Sequence, residues 1–223
     1  MKLIQSIKRV VPSRFKPLGY LQRLVERRTR DRVRSGPFEG QMIAFGGTLH
    51  NKVVFHIMKA LNSFGFPVLR FNFRGAGLSH GQHDNGEGEA DDARAAFEWL
   101  NHEFGLPMIF AGFSFGAAVG LRAACPDPRV KAAMGVGTPV SPVDMRSYDL
   151  AFLRRCVKPK LFVSGEHDVY GPRIELEKLV ESLPDPKQLV IVAGADHFFD
   201  GHLPQLRESI EVWLRQLLAG SIA

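Results

Sequence analysis

From residue 42 onward, short apolar runs alternate with segments of helical periodicity, and this alternation limits the folds open to the chain. The apolar runs contain few polar residues, as expected for strands buried on both faces of a sheet. Repeated strand and helix units predict a mostly parallel sheet with helices on both faces, which is an α/β fold. The predicted strands cover residues 42–45, 67–73, 107–112, 130–136, 160–164 and 188–192.

The length and the charge distribution together divide the chain into an arm and one domain. A chain of 223 residues fits a single α/β domain. Residues 1–35 carry 11 of the 29 Lys and Arg residues but only two of the 23 acidic residues. We therefore predict a basic N-terminal arm over residues 1–35 and a single folded domain over residues 36–223.

The arm is open to three interpretations. Apolar residues recur in it at near-helical spacing, at Leu3, Ile4, Ile7, Val10 and Val11 and again at Leu21, Leu24 and Val25. The first interpretation is a solvated basic extension that packs loosely on the domain. The second is a weak contact with an anionic membrane surface. The third is an organellar presequence, because the segment is rich in Arg and poor in acidic residues.

Composition excludes several classes of protein. The two cysteines, Cys125 and Cys156, are too few for a disulfide framework and favour a reducing compartment, so the cytoplasm is expected. No apolar run approaches the length of about 20 residues that spans a bilayer, and no secretory signal is evident. Outside the arm the chain is mildly acidic, so no nucleic-acid partner is expected.

The strongest chemical signal is the run Gly112-Phe113-Ser114-Phe115-Gly116. It has the Gly-x-Ser-x-Gly spacing of a nucleophile elbow, in which a tight strand-to-helix turn lifts a serine above the sheet. The pattern alone is weak, but here an apolar strand precedes it and a small-residue helix follows. An ordinary Gly-rich turn is the alternative. Ser114 is therefore the predicted nucleophile, at a helix N-terminus that favours developing negative charge.

A nucleophilic serine needs a base, and the base needs a carboxylate that orients it. Asp168 follows the strand at 160–164, and His197 follows the strand at 188–192. The carboxyl ends of parallel strands meet at one edge of the sheet, where ligands of such folds bind. The chain order Ser, Asp, His is also the order used by hydrolases that carry this elbow. Ser114, Asp168 and His197 are thus the predicted catalytic triad.

Alternatives remain for two members of this set. Asp168 could be a loop carboxylate or the cap of the helix that begins near Pro172, and Glu166 is a competing acid in the same loop. His197 could be a structural loop histidine. No spacing of His, Cys or acidic residues indicates a metal site, and the predicted chemistry needs no cofactor.

These motifs resemble those of the α/β-hydrolase superfamily. The chain is most similar to its small, cap-less bacterial group, related to dienelactone hydrolases and acetyl-xylan esterases. The resemblance rests on residues 45–54, 70–79, 111–116, 165–168 and 194–199. The resemblance does not extend to the segment N-terminal to residue 45, where that group has a β-hairpin and a His-Pro-His-Pro-like turn. Here only Gln41–Ala44 precede the Phe45-Gly46-Gly47 turn, and the arm is expected to replace the hairpin.

The resemblance implies the α/β-hydrolase fold without a full cap and a serine esterase or thioesterase activity. The oxyanion hole would consist of the backbone N–H groups of Phe115 and Phe45, with Gly46 as the next candidate for the second donor. The expected substrates are small-molecule esters or thioesters with small or exposed acyl groups. Four Phe residues suggest an apolar acyl pocket or ordinary core packing, namely Phe113, Phe115, Phe198 and Phe199.

Two other functions are compatible with the same sequence. One is a catalytically weak or inactive relative that acts as a binding or scaffold protein, and the retained Ser, Asp and His residues argue against it. The other is a membrane-peripheral lipase or thioesterase recruited by residues 1–35. The sequence does not indicate an oligomeric state.

Overall fold

A computed structural model describes residues 6–7, 23–26, 41–45, 50–142 and 147–220. The described strands are β1 (Ser6–Ile7), β2 (Arg23–Glu26), β3 (Gln41–Phe45), β4 (Val68–Phe71), β5 (Met108–Phe113), β6 (Val130–Val136), β7 (Lys160–Gly165) and β8 (Lys187–Val192). The helices are α1 (Lys52–Ser63), α2 (Glu87–Phe104), α3 (Phe115–Ala124), α4 (Arg173–Glu181) and α5 (Leu203–Leu218). A 3₁₀ helix covers Ala151–Arg155.

The described strands form one eight-stranded sheet in the order β1-β2-β4-β3-β5-β6-β7-β8. The pairs from β4 through β8 are all parallel. Strand β2 pairs antiparallel with β1 and with β4. The predicted mostly parallel sheet is therefore confirmed, and it carries an antiparallel pair at one edge.

Helices cover both faces of the sheet because each helix has one apolar side to bury. One core layer contains Phe97 of α2, Leu121 of α3 and Leu176 of α4, packed with Phe110 of β5. The opposite layer contains Ile57 of α1 and Trp213 and Leu214 of α5. Strands β5 and β7 are buried at every position, which explains why their central residues are apolar.

The sequence predicted most of these elements closely, but its account of the N-terminal segment is wrong in two respects. Apolar spacing suggested helices within residues 1–35, whereas Ser6–Ile7 and Arg23–Glu26 are strands. The arm was also expected to replace a hairpin, whereas β1 and β2 form an antiparallel pair on the sheet. Such short segments do not distinguish helical from strand periodicity, and their conformation follows from pairing, of β2 with β4 and of β1 with β2. The boundary between arm and domain at residue 35 remains a prediction.

The sheet order brings three loops together at one edge. Strands β5, β7 and β8 are followed by the loops that contain Ser114, Asp168 and His197. Because β5, β6, β7 and β8 are consecutive and parallel, the carboxyl ends of these strands lie at the same edge. The described part of residues 137–159 holds only a short 3₁₀ helix, so no cap domain covers this edge there. Within the described ranges, no helix has the length and apolar character needed to cross a bilayer.

Candidate active site

Ser114 occupies a strained turn between β5 and α3. Strand β5 ends at Phe113 and α3 begins at Phe115, so Ser114 alone makes the turn. Its φ of 55° and ψ of −127° lie in a region that residues with a side chain rarely adopt. The Ser114 N–H donates to the carbonyl of Val136 at 2.9 Å, which ties the turn to β6. The predicted elbow geometry is thus present.

Gly112 permits the close approach of α3 to β5. A Cβ placed on Gly112 would lie 2.5 Å from the carbonyl oxygen of Gly116 and 2.7 Å from the Cα of Ala117. These atoms belong to the helix backbone and cannot rotate away. The sequence requirement for glycine two residues before Ser114 therefore has a direct steric cause.

The side chains of Ser114, His197 and Asp168 form a continuous hydrogen-bonded chain. The Nε2 of His197 lies 2.9 Å from the Oγ of Ser114. The Nδ1 of His197 lies 2.9 Å from both carboxylate oxygens of Asp168. An ionised carboxylate only accepts hydrogen bonds, so Nδ1 carries the proton and Nε2 presents its lone pair to the serine hydroxyl. This tautomer is able to take the serine proton.

Asp168 stays ionised although it is buried. Burial opposes the charged form, but the hydrogen bond from His197 and the N–H groups of Gly171 and Tyr170 outweigh it, so the pKa of Asp168 lies below its usual value. Tyr170 N–H and Gly171 N–H donate to Oδ1 at 2.9 and 3.1 Å. Asp168 does not cap α4: its described hydrogen-bond partners are Tyr170 and Gly171 in the loop, Ser164 at the end of β7, and His197.

Glu166, the competing acid, lies elsewhere. Its side chain is exposed, and its Oε2 accepts a hydrogen bond from the N–H of Gly194 at 2.9 Å. That contact joins the loops after β7 and β8. Glu166 therefore helps hold the two loops together, and Asp168 is the carboxylate that meets His197.

Sequence reasoning did not identify Ser164 and Gly165 as members of the site. The hydroxyl of Ser164 donates to Oδ2 of Asp168 at 3.0 Å, and both residues are buried. A Cβ on Gly165 would lie 2.4 Å from the carbonyl oxygen of Ala195 and 2.5 Å from that of Asp196. Gly165 thus sets the distance between the Asp168 and His197 loops. In the sequence, the only signal for Ser164 and Gly165 was that a polar residue and a small residue end an apolar strand.

Aromatic rings surround the imidazole of His197. The ring centroids of Phe113 and Tyr170 lie 4.9 and 4.5 Å from that of His197. Phe198 approaches nearly edge-on at 5.1 Å. His197 is 5% exposed, so these rings restrict its rotation and exclude water from most of its surface. The orientation of His197 is therefore fixed by packing as well as by hydrogen bonds.

The two predicted oxyanion donors lie at suitable ends of their elements. The N–H of Phe115 belongs to the first residue of α3, where a helix offers its own N–H groups no partner. Phe45 is the last residue of β3, and it is in register with Gly112 of β5. Gly46, the second candidate for that donor, lies outside the described residues. The oxyanion role of Phe115 and Phe45 remains a proposal.

The four Phe residues near the site divide between the core and the surface. Phe113 and Phe199 are buried in the layer of the core beneath α1 and α5. Phe115 is half-buried and packs against Phe73 and Tyr148. Phe198 is 43% exposed. Ordinary core packing therefore accounts for Phe113 and Phe199, whereas Phe115 and Phe198 border the opening.

The loop after β4 is anchored to the start of α2 by two buried carboxylates. Asp92 accepts hydrogen bonds from the backbone N–H and the guanidinium of Arg74. Glu89 accepts from Asp84 N–H and Gly86 N–H, each at 2.9 Å. Burial opposes ionisation of Glu89, but these backbone donors and the nearby His83 hold its pKa below the usual value. The His83 ring in turn lies 5.3 Å from Phe115, so this anchored loop borders the elbow.

The described residues contain no cluster of three or more His, Cys, Asp or Glu side chains able to hold a metal ion.

We expect Gly165→Ala to damage the site through its geometry. The added methyl group would overlap the backbone after β8, which costs about 1–3 kcal/mol of unfolding free energy when a packed region is overfilled. Chemical denaturation measures this loss. Gly201→Ala is the control, because no atom lies within 4 Å of its added Cβ and only its φ of 74° opposes alanine. A Gly165→Ala variant as stable as wild type would contradict the steric account.

A scan of known families matches residues 44–213 to the model of the alpha/beta hydrolase domain. Among curated proteins, an uncharacterized protein of Rickettsia prowazekii is 33% identical over 177 residues, covering 76% of this chain and 74% of that protein. The family-model match, over residues 44–213, includes all three predicted triad positions and most of the sheet.

Solved structures give the same fold. A serine hydrolase without lid from Xanthomonas campestris superposes with a TM-score of 0.80 at 30% identity, covering 98% of this chain and 97% of that one. An alpha-beta serine hydrolase homologue from Coxiella burnetii gives a TM-score of 0.79 at 31% identity, over 95% of this chain and 99% of that one. The predicted fold agrees with both structures, and the absence of a full cap agrees with the Xanthomonas hydrolase, which has no lid.

Proposed function

Because the chain belongs to the alpha/beta-hydrolase family, we propose that it is a serine hydrolase that cleaves carboxylic esters or thioesters through an acyl-enzyme on Ser114. The similar proteins support hydrolase activity in general. The assignment of the reaction to Ser114, His197 and Asp168 rests on the geometry of this site.

One observation carries the proposal. Two contacts of 2.9 Å link the Ser114 hydroxyl to the His197 imidazole and that imidazole to the buried Asp168 carboxylate. A nucleophile bound to a base that is itself oriented by a third group is the arrangement that nucleophilic hydrolases use. Ser114 also has the strained backbone of an elbow, and strained residues cluster at functional sites.

The proposed reaction has two steps. In the first, His197 Nε2 removes the Ser114 proton while Oγ attacks the carbonyl carbon, and the protonated imidazole then passes that proton to the leaving alcohol or thiol. In the second, His197 Nε2 takes a proton from water as the water oxygen attacks the acyl carbon, the bond to Ser114 Oγ breaks, and the imidazolium returns the proton to Oγ, which releases the acid. Asp168 stabilises the imidazolium in both steps. Donors at the Phe115 and Phe45 amides would bind the oxyanion, and no cofactor enters the scheme.

The open edge of the sheet favours substrates that do not need to be enclosed. Among the described residues, the connection between β6 and β7 holds one 3₁₀ helix and no cap. Ser114 is half-buried and accessible from this edge. Small esters and thioesters, or acyl groups displayed on a larger molecule, are therefore the proposed substrates.

The proposal is tested by pre-steady-state hydrolysis of p-nitrophenyl acetate and of an acetyl thioester. If deacylation is slower than acylation, the acyl-enzyme accumulates, the first equivalent of p-nitrophenol is released faster than later turnovers, and the burst amplitude approaches one per chain. Mass spectrometry of the quenched protein should then find the acetyl group on Ser114. Acetylation at another residue, with Ser114 unmodified, would refute the proposed mechanism.

A further inference from the structure

The loop after β8 turns one of two adjacent phenylalanines outward. Phe198 N–H and Asp200 N–H each donate to Oδ1 of Asp196 at 3.0 Å, and Phe199 N–H donates to the Asp196 carbonyl. Phe199 has a φ of 54°, which is uncommon for a bulky residue. As a result Phe199 is buried while Phe198 is 43% exposed. The turn therefore fixes an exposed aromatic ring in one direction.

The exposed ring stands beside the proposed base. The centroid of Phe198 lies 5.1 Å from that of His197 and 6.0 Å from that of Phe113. Lys52 pairs with Asp200, and its Nζ lies 5.8 Å from the centre of the Phe198 ring. Phe198 is thus held between α1 and the imidazole.

A second loop brings apolar surface to the same imidazole. Val169, directly after Asp168, is 67% exposed, and the Tyr170 ring lies 4.5 Å from His197. A single exposed apolar side chain is ordinary on a protein surface. Here side chains from two separate loops border one reactive group. We call Tyr170 and Phe198, whose rings lie 4.5 and 5.1 Å from that of His197, the His-side rim.

We propose that the His-side rim is an apolar leaving-group subsite, which binds the alkyl or aryl part of the alcohol or thiol that the substrate releases. The inference rests on the proposed function. In acylation, the bond from Ser114 Oγ to the acyl carbon forms, the bond from that carbon to the leaving oxygen or sulfur breaks, and His197 Nε2 delivers the serine proton to the leaving atom. The leaving atom must therefore be near Nε2, and the groups attached to it meet the rim.

The test uses acetate esters of ethanol, 1-butanol and 1-hexanol. They share one acetyl-enzyme and have leaving groups of similar acidity, so kcat/KM differs through contacts of the alkyl chain. Full burial of one methylene corresponds to about a fourfold gain in kcat/KM. A rim that buries about half of each methylene should give about a twofold gain for each. Hexyl acetate has four more methylenes than ethyl acetate, so we expect kcat/KM to rise about 16-fold between them.

Variants assign this gain to the rim. Phe198→Ser should reduce the hexyl-to-ethyl ratio of kcat/KM to about threefold or below. Val157→Ser is the matched control, because Val157 is 72% exposed but precedes β7 at the opposite edge of the sheet. That variant should keep the wild-type ratio. A flat series in wild type, or an unchanged ratio in Phe198→Ser, would overturn the subsite.

Failure of the subsite is distinguishable from failure of the proposed function. If Ser114 reacts with a fluorophosphonate but turns over no acetate, the alkanols themselves are tested as competitors of that labelling. Protection by 1-hexanol beyond that by ethanol, present in wild type and reduced in Phe198→Ser, supports the subsite, and equal protection overturns it. If Ser114 neither labels nor hydrolyses any ester, the proposed function is wrong and the subsite with it.

Discussion

Replacing Ser114 by alanine should lower kcat for ester hydrolysis by about 10⁶, the loss seen when the nucleophile of a serine protease is removed. The reason is that no other hydroxyl among the described residues contacts His197 Nε2. The fold should remain, because alanine keeps the backbone hydrogen bond of residue 114 to Val136. Steady-state hydrolysis of p-nitrophenyl acetate measures the loss, and circular dichroism checks the fold.

Two comparisons sharpen this prediction. Ser209→Ala is the matched control, because Ser209 lies on α5 and, among the described residues, its hydroxyl bonds only to the carbonyl of Gln205. It should retain wild-type kcat. The double variant Ser114→Ala with His197→Ala should be no slower than Ser114→Ala alone, because the two residues act as a unit. If the double variant instead lost more kcat than Ser114→Ala alone, His197 would not act as the base for Ser114.

Replacing Asp168 by asparagine should lower kcat by about 10⁴, as the same change does in serine proteases. Asparagine can direct an N–H toward His197 Nδ1, which then has to accept rather than donate. The imidazole would adopt the tautomer whose Nε2 carries a proton and cannot take the proton of Ser114. The charge that stabilises the imidazolium is lost as well.

Glu166→Gln distinguishes this specific effect from a loss of acidity in the loop. Glu166 is two residues away and exposed, and its contact with Gly194 N–H survives in glutamine. The kcat of Glu166→Gln should stay within about twofold of the wild-type value, as for other surface substitutions. A large loss of kcat in Glu166→Gln together with a small loss in Asp168→Asn would mean that Glu166, and not Asp168, is the acid that orients His197.

The stability difference between wild type and Asp168→Asn should depend on pH. The pKa of Asp168 is lower in the folded protein than its ordinary value of about 3.9, so the unfolded chain binds more protons in the acid range. The stabilisation from the ionised carboxylate is present above that value and is lost as pH falls through the folded pKa. The difference in unfolding free energy between wild type and Asp168→Asn should therefore shrink below about pH 4.

The positions of Ser114, Asp168 and His197 were predictable because each depends on a local signal. A tight turn after a buried strand requires Gly112 and marks Ser114, and the chain order then selects an acid and a histidine after later strands. Parallel pairing of β5 through β8 brings these loops to one edge. Local pattern and sheet geometry were therefore sufficient for these three residues.

Other parts of the site depend on contacts that no local pattern carries. Strand Arg23–Glu26 is stabilised by its pairing with β4. The spacing of its apolar residues alone suggested a helix. Gly165 matters because of the backbone at Ala195 and Asp196, 30 residues later in the chain. The opposite directions of Phe198 and Phe199 follow from a single positive φ at Phe199. These features become visible only when distant segments are packed.

The most direct test of the central claim is labelling by a fluorophosphonate probe, with wild type and Ser114→Ala compared by intact-protein mass spectrometry. If Ser114 is activated by His197 and Asp168, wild type gains one probe adduct, the adduct maps to Ser114, and Ser114→Ala gains none. Labelling in Asp168→Asn should be much slower than in wild type. Equal labelling of wild type and Ser114→Ala, or no labelling of folded wild type, would contradict the assignment of Ser114 as the nucleophile of a serine hydrolase.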